Sequence, residues 1–146
     1  MSNKDANGIS EERQAAITAS FDRQGFLRTI GARLVHLGAG HCTIELPFGD
    51  AVSQQHGFFH GGVVGTLADV AGGYAAMTMI EADRDVLTLE YKINFVRPAT
   101  GTLLTARGQV LRAGRSVIVT RADIFDADNH LCAAMQQSLT PAPLGA

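Results

Sequence analysis

The sequence has only two cysteines, Cys42 and Cys132, at no metal-ligand spacing and with no secretory signal ahead of them. This excludes a disulfide framework and a thiolate metal site, and it makes the reducing cytoplasm the expected location. Charge is scarce too: 12 Lys and Arg against 14 Asp and Glu leave a net charge of −2, with 18% of residues charged. There is no electrostatic footprint for nucleic acid. A long uninterrupted apolar run is also missing. Residues 63–80 approach the length of a membrane span but contain Asp69, and a charge near the middle of a span costs roughly 2.5–3.5 kcal/mol. No membrane partner is expected. Nor does any repeat or linker divide the 146 residues, so residues 1–146 read as one domain with a loose polar tail over about 1–9.

What is present is a balance of 46% apolar residues, tilted towards burial or self-association. The chain is organised around the stretch that begins His60-Gly61-Gly62. From there a long helix is expected, with Val63, Leu67, Val70, Tyr74 and Met77 on one apolar stripe. Gly62, Gly65, Thr66, Asp69, Gly72, Gly73 and Ala76 share a second face, which leaves the only carboxylate of the segment among residues with almost no side chain. Interior glycines each cost roughly 1 kcal/mol against alanine, so either a ligand or another backbone comes close there, or the helix packs tightly on a strand. At the helix entrance, Gly61 and Gly62 leave backbone N–H groups unblocked, which makes an anion site suited to a phosphate, a carboxylate or an oxyanion. Asp69 is a candidate base or nucleophile. On one straight helix it lies roughly 12 Å from Gly61, too far to serve the same carbonyl, so a partner chain would have to close the gap.

Around that helix the remaining pattern is as follows. Ser10, Glu11 and Glu12 open a short helix that buries Ala15, Ala16, Ala19, Phe21 and Phe26 and stops at Gly25. Strands over 33–37 and 42–46 flank a Gly38-Ala39-Gly40 hairpin, and Pro47 ends the second. A loop over 48–59 carries Gln54 and His56 to the helix entrance. Strands over 86–96, 103–111, 117–125 and 130–139 then follow as an antiparallel meander, and Pro141-Ala142-Pro143 ends the sheet. One long helix with about six antiparallel strands is α+β, and the helix is buried only if the sheet wraps round it.

Gln54, the triplet His60-Gly61-Gly62, Leu67-Ala68-Asp69 and the strand ending Asn94-Phe95-Val96-Arg97-Pro98 together resemble the hotdog-fold acyl-CoA thioesterases, and among them the phenylacetate-degradation branch. The resemblance spans about residues 33–139. It implies a hotdog sheet wrapped round the central helix and hydrolysis of an acyl-CoA, with a homodimer sharing its active sites, paired again into a homotetramer. The Gly61 N–H would polarise the thioester carbonyl, and Asp69 of the other subunit would act as nucleophile or general base. Gln54 stands where many members of the branch have Asn, while related hydroxybenzoyl-CoA thioesterases use Gln. Thr88 matches a water-orienting Ser or Thr of some relatives, against a plain reading as a β-branched strand residue.

His56 and His60 are four apart but lack a third ligand, so no metal and no cofactor are assigned, coenzyme A being part of the substrate. His60 fixes the loop by hydrogen bonding or touches substrate, and Gly62 belongs to the same entrance. Arg97 and Arg115, with Lys92 and Arg112, are candidates for the phosphates of coenzyme A, against a default of surface solvation. Phe58, Phe59, Tyr74 and Met77 suit an aryl or medium-chain acyl group. Two rivals share the fold: an enoyl-CoA hydratase, whose spaced Asp–His pair is not found, and a non-catalytic acyl-CoA-binding protein, which would not need Asp69.

Overall fold

The computed structural model describes residues 5–145. Its centre is helix α3 (Gly61–Met77), which is apolar nearly all round, with Val64, Leu67, Ala68, Ala71 and Ala75 fully buried. The six strands are β1 (Arg33–Gly38), β2 (His41–Pro47), β3 (Arg84–Phe95), β4 (Leu103–Ala113), β5 (Ile118–Phe125) and β6 (Leu131–Pro143). They form one antiparallel sheet in the order β1-β2-β4-β5-β6-β3 around that helix. Inward side chains alternate along the strands: Ile44 and Leu46 of β2, Leu104 and Ala106 of β4, Ile118 and Ile124 of β5, and Met135 and Leu139 of β6 are all buried. This is the α+β sheet wrapped round one helix that the sequence pattern implies.

The strand order differs from the meander expected after the helix. Only β4, β5 and β6 form one, while β3 crosses to pair with β6 and stands at the sheet edge. Residues 98–101 are therefore not a hairpin turn. They pass the mouth of α3, where the Ala99 carbonyl accepts from the Phe59 N–H. Strand β6 also runs on through Pro141 and Pro143 instead of stopping before them. Beyond Leu139 it has β3 as its sole strand neighbour, so one side of it needs no ladder hydrogen bond and tolerates proline.

The N-terminal region departs furthest from expectation. Helix α1 (Glu11–Asp22) is capped by Ser10 as read, but it buries Arg13, Ile17 and Phe21, while Ala15, Ala16 and Ala19 are exposed. Four-residue spacing from Arg13 chooses the face. The Arg13 Nε and Nη2 donate to the Met77 carbonyl at 2.9 and 2.6 Å, so a buried cation caps the last turn of α3. Gly25 does not end this helix but begins α2 (Gly25–Ile30), which buries Leu27, leaves Phe26 exposed and ends at Gly31 with φ of 82°. The tail read over 1–9 divides as well. Residues 1–4 lie outside the described residues, whereas 5–9 form a hydrogen-bonded turn with Ile9 buried and the Asn7 carbonyl accepting from Ala39.

Candidate active site

The entrance of α3 is built by its own cap. His60 is extended, and its Nδ1 accepts from the Gly62 N–H at 2.9 Å, which puts the proton of the neutral ring on Nε2. The Gly62 N–H is thus used internally. Of the two glycine N–H groups read from the sequence as an anion site, the Gly61 N–H alone has no partner among the described residues, at the positive end of a 17-residue helix. It opens on a cleft of about 420 Å³ lined by Gln54, Phe58, Phe59, Phe95 and Arg97, among others. The Gln54 side-chain carbonyl accepts from the backbone of His56 and Phe58, bracing the loop. Its amide NH₂ has no partner among the described residues, which leaves it as a donor for something in the cleft.

Two turns further along, Asp69 is half-buried and its Oδ1 accepts two short hydrogen bonds, from Thr88 Oγ1 and from Gln137 Nε2, each at 2.7 Å. Its Oδ2 has no protein partner among the described residues. Thr88, a candidate through the resemblance, therefore meets Asp69; having given its only proton to the carboxylate, it can only accept from a water. The Asp69 cleft, of about 350 Å³, is walled by Val70, Gly73, Tyr74, Met77 and Val86, with Ser20 and Gln24 of the N-terminal helical region at its rim. Tyr74 belongs to this wall, and its hydroxyl accepts from Gln24 Nε2 at 2.7 Å and pairs with Ser20 Oγ at 3.1 Å. Burial pushes the phenol up from its usual range, opposed by these two hydrogen bonds, so it stays neutral near pH 7.

The glycine face around Asp69 turns out to serve packing and cleft separately. A Cβ on Gly72 would stand 1.8 Å from Gln137 Oε1, so Gly72 makes room for a side chain of the sheet. Gly73 has open space beside it and lines the cleft. Gln137 was not foreseen. Its signal is the polar residue in the inward series Ala133, Met135, Gln137, Leu139, matched on β5 by Thr120 between Ile118 and Ala122.

Within one chain the two clefts share no lining residue. Strand β3 runs between them, with Phe95 against Gly61 and Thr88 against Asp69. Of the other candidates, Phe59 is buried edge-on to Phe48 and Arg97 lines the Gly61 cleft, but Arg115 lies in the exposed β4–β5 turn and lines neither. Lys92 reaches Asn94 on the outer side of β3, away from both clefts. Asp126, Asp128 and His130 bring ligand-type atoms together in the β5–β6 turn, also outside the clefts, where Asp126 already accepts from the backbone of both other residues.

The thioesterase superfamily model matches residues 56–133. A 1,4-dihydroxy-2-naphthoyl-CoA hydrolase of Listeria monocytogenes is 32% identical over 107 residues, which cover 73% of this chain and 87% of that protein. Among solved structures, a thioesterase family protein from Silicibacter pomeroyi is 36% identical, with a TM-score of 0.86 over 90% of this chain and 98% of its own. The E. coli PaaI protein from the phenylacetic acid degradation operon, at 20% identity, shares the fold with a TM-score of 0.82 over 94% of this chain and 97% of its own.

Proposed function

The chain belongs to the thioesterase superfamily, and from that premise we propose that it hydrolyses an aryl- or medium-chain acyl-CoA thioester to the free acid and coenzyme A. The observation that carries the reading is the pairing of a Gly61 N–H at a helix entrance with an Asp69 carboxylate whose Oδ2 is free, both without a partner among the described residues. An N–H at the positive end of α3 suits the oxyanion that forms when a thioester carbonyl is attacked. Asp69 Oδ2 either removes a proton from the attacking water or attacks the carbonyl carbon itself. In both routes the carbon–sulfur bond then breaks and the thiolate leaves, taking up a proton; direct attack also leaves an acyl–Asp69 anhydride, which a water hydrolyses to the free acid and the restored carboxylate. Gln54 directs its amide N–H at the carbonyl or the water, and Thr88 accepts from the water. No step runs through a metal or a separate cofactor.

About 12 Å of helix rise separates Gly61 from Asp69, so one chain does not complete a site. The edge strand β3 supports a second copy as the missing half, since Leu87, Leu89, Tyr91 and Phe95 on it are 47–60% exposed. A two-fold axis beside this edge sets Gln54, His60, Gly61 and Arg97 of one chain against Asp69 and Thr88 of the other, giving two sites per dimer. Pairing of two such dimers into a tetramer and a cytoplasmic location belong to the same proposal. Val70, Tyr74, Met77 and Val86 suit an apolar or aryl acyl group, while Arg97, and Arg115 from its turn, would meet the phosphates of the coenzyme. A panel of acyl-CoA thioesters assayed by thiol trapping, with chelator present, tests this. Free thiol from an aryl or medium-chain member supports it; no turnover of any member, or turnover abolished by chelator, overturns it.

A further inference from the structure

We infer that Gln137 is a positioning residue for Asp69, an inference that rests on reading Asp69 as the reacting carboxylate. Gln137 is 1% exposed on the inward face of β6, between β5 and β3, where its register partners are Thr120 and Tyr91. Its alternating neighbours Met135 and Leu139 are apolar, and an apolar side chain would fill the position without the desolvation that a buried primary amide requires. Both ends of the amide are instead committed. Oε1 accepts from Thr120 Oγ1 at 2.9 Å, and Nε2 donates to Asp69 Oδ1 at 2.7 Å and approaches Thr88 Oγ1 at 3.3 Å.

The orientation follows from chemistry. Reversing the amide would set its oxygen against the acceptor-only carboxylate and lose the donor to Asp69, so the carboxylate fixes the orientation, and the fully buried Thr120 hydroxyl, which could pair with either end, donates to the oxygen that this leaves inward. Gly72, one turn beyond Asp69 on the same helix face, supplies the space through which the amide reaches. Two donors on Oδ1, from Gln137 and Thr88, fix the plane of the carboxylate and leave Oδ2 as the oxygen without a partner among the described residues, on a residue that lines the cleft. Preorganising which oxygen reacts is a rate effect, because a misplacement of about 1 Å can cost on the order of a hundredfold.

Three variants test this. Gln137→Leu keeps the bulk but removes the donor, and kcat should fall about tenfold to a hundredfold while KM changes less than about threefold. Gln137→Glu keeps the shape but sets an acceptor against Asp69 at neutral pH; once protonated, the introduced carboxyl donates again, so the activity optimum should move to lower pH. Thr120→Val should lower kcat less, and combining it with Gln137→Leu should add nothing, since both act through one amide. Wild-type kcat and pH profile in Gln137→Leu and Gln137→Glu, with Asp69→Asn inactive, would overturn the positioning role and leave the hydrolase reading intact. If the wild-type protein cleaves no thioester, the functional reading fails instead. The crystal structure of Gln137→Leu then decides the placement without substrate: Asp69 turned away from Thr88 supports it, and an unmoved Asp69 overturns it. Should Gln137→Leu not fold, Gln137→Glu carries both measurements.

Discussion

Gly108 of β4 lies directly beneath Ala71 of α3, so close that a Cβ on Gly108 would stand 2.2 Å from the Ala71 carbonyl oxygen. The obstacle is backbone on both sides, which cannot swing aside as a side chain does. Gly108→Ala should therefore force helix and sheet apart and destabilise the protein by about 2–3 kcal/mol, read from denaturant midpoints. Gly73 has nothing within 4 Å of its Cβ position and no positive φ. Gly73→Ala should instead gain roughly 0.5–1 kcal/mol from helix propensity, while the added methyl narrows the Asp69 cleft and lowers turnover of bulky acyl groups. Equal stability changes at the two glycines would refute this division between packing and cleft.

Asp69→Asn keeps the shape of the side chain and its Oδ1 as an acceptor for Thr88 and Gln137. The fold should persist, and turnover should fall by at least roughly a hundredfold if Asp69 is the base or nucleophile as proposed. Steady-state kinetics beside a thermal melt separates the outcomes. Unfolding without the carboxylate would mean that Asp69 is a structural group, and near wild-type turnover would remove it from the chemistry.

The long helix and its start at His60-Gly61-Gly62 were legible because they rest on local pattern, a glycine entrance followed by an apolar run, whereas Thr88 was a candidate only through the family resemblance and its hydrogen bond to Asp69 is seen only in the fold. What was not legible is non-local. Nothing in residues 86–96 says that this strand pairs with β6 and not with β4, since either neighbour satisfies the same alternation. The buried face of α1 is not legible in the sequence, because alanines fit a buried stripe equally well, while the buried member is Arg13, whose value depends on the Met77 carbonyl 64 residues away. Gln137 and Gly72 explain each other in space, and neither explains itself in sequence.

Leu89 lies at the register shift of β3, between Thr88 and Glu90, and is 60% exposed. Since it adds little to the core of its own chain, Leu89→Asp should leave the chain folded. A charge buried without a partner at the edge where the second copy is proposed to sit should separate the subunits. Sedimentation should give the mass of one chain, with thioester cleavage lost. A fully active assembly of unchanged mass would place the interface elsewhere.

Both thiols are buried, and burial pushes the Cys42 thiol up to about 12 and that of Cys132 above its usual range. Neither is a thiolate near pH 8, so neither should react with an aromatic disulfide reagent in the folded protein, and two should react in denaturant. Counting released chromophore checks this. It also matters for the thiol-trapping assay, since rapid labelling of native protein would mask early turnover.

A site shared between two chains makes a quantitative prediction for mixed subunits. Gln54 and Gly61 line one cleft and Asp69 the other, and the two have no lining residue in common. Gln54→Ala removes both the amide donor and the brace on the 54–58 loop, and Asp69→Ala removes the carboxylate proposed to react, so each variant alone should be nearly inactive. When the two are refolded together, random pairing makes about half of the dimers mixed. Each mixed dimer has one site with both lesions and one with neither, so about a quarter of wild-type activity should return. Sites contained within single chains would each carry one lesion, and mixing would restore nothing. Subunit exchange is verified by giving one variant a mass tag. A tagged mixture that has exchanged and is no more active than its parents would refute the shared site.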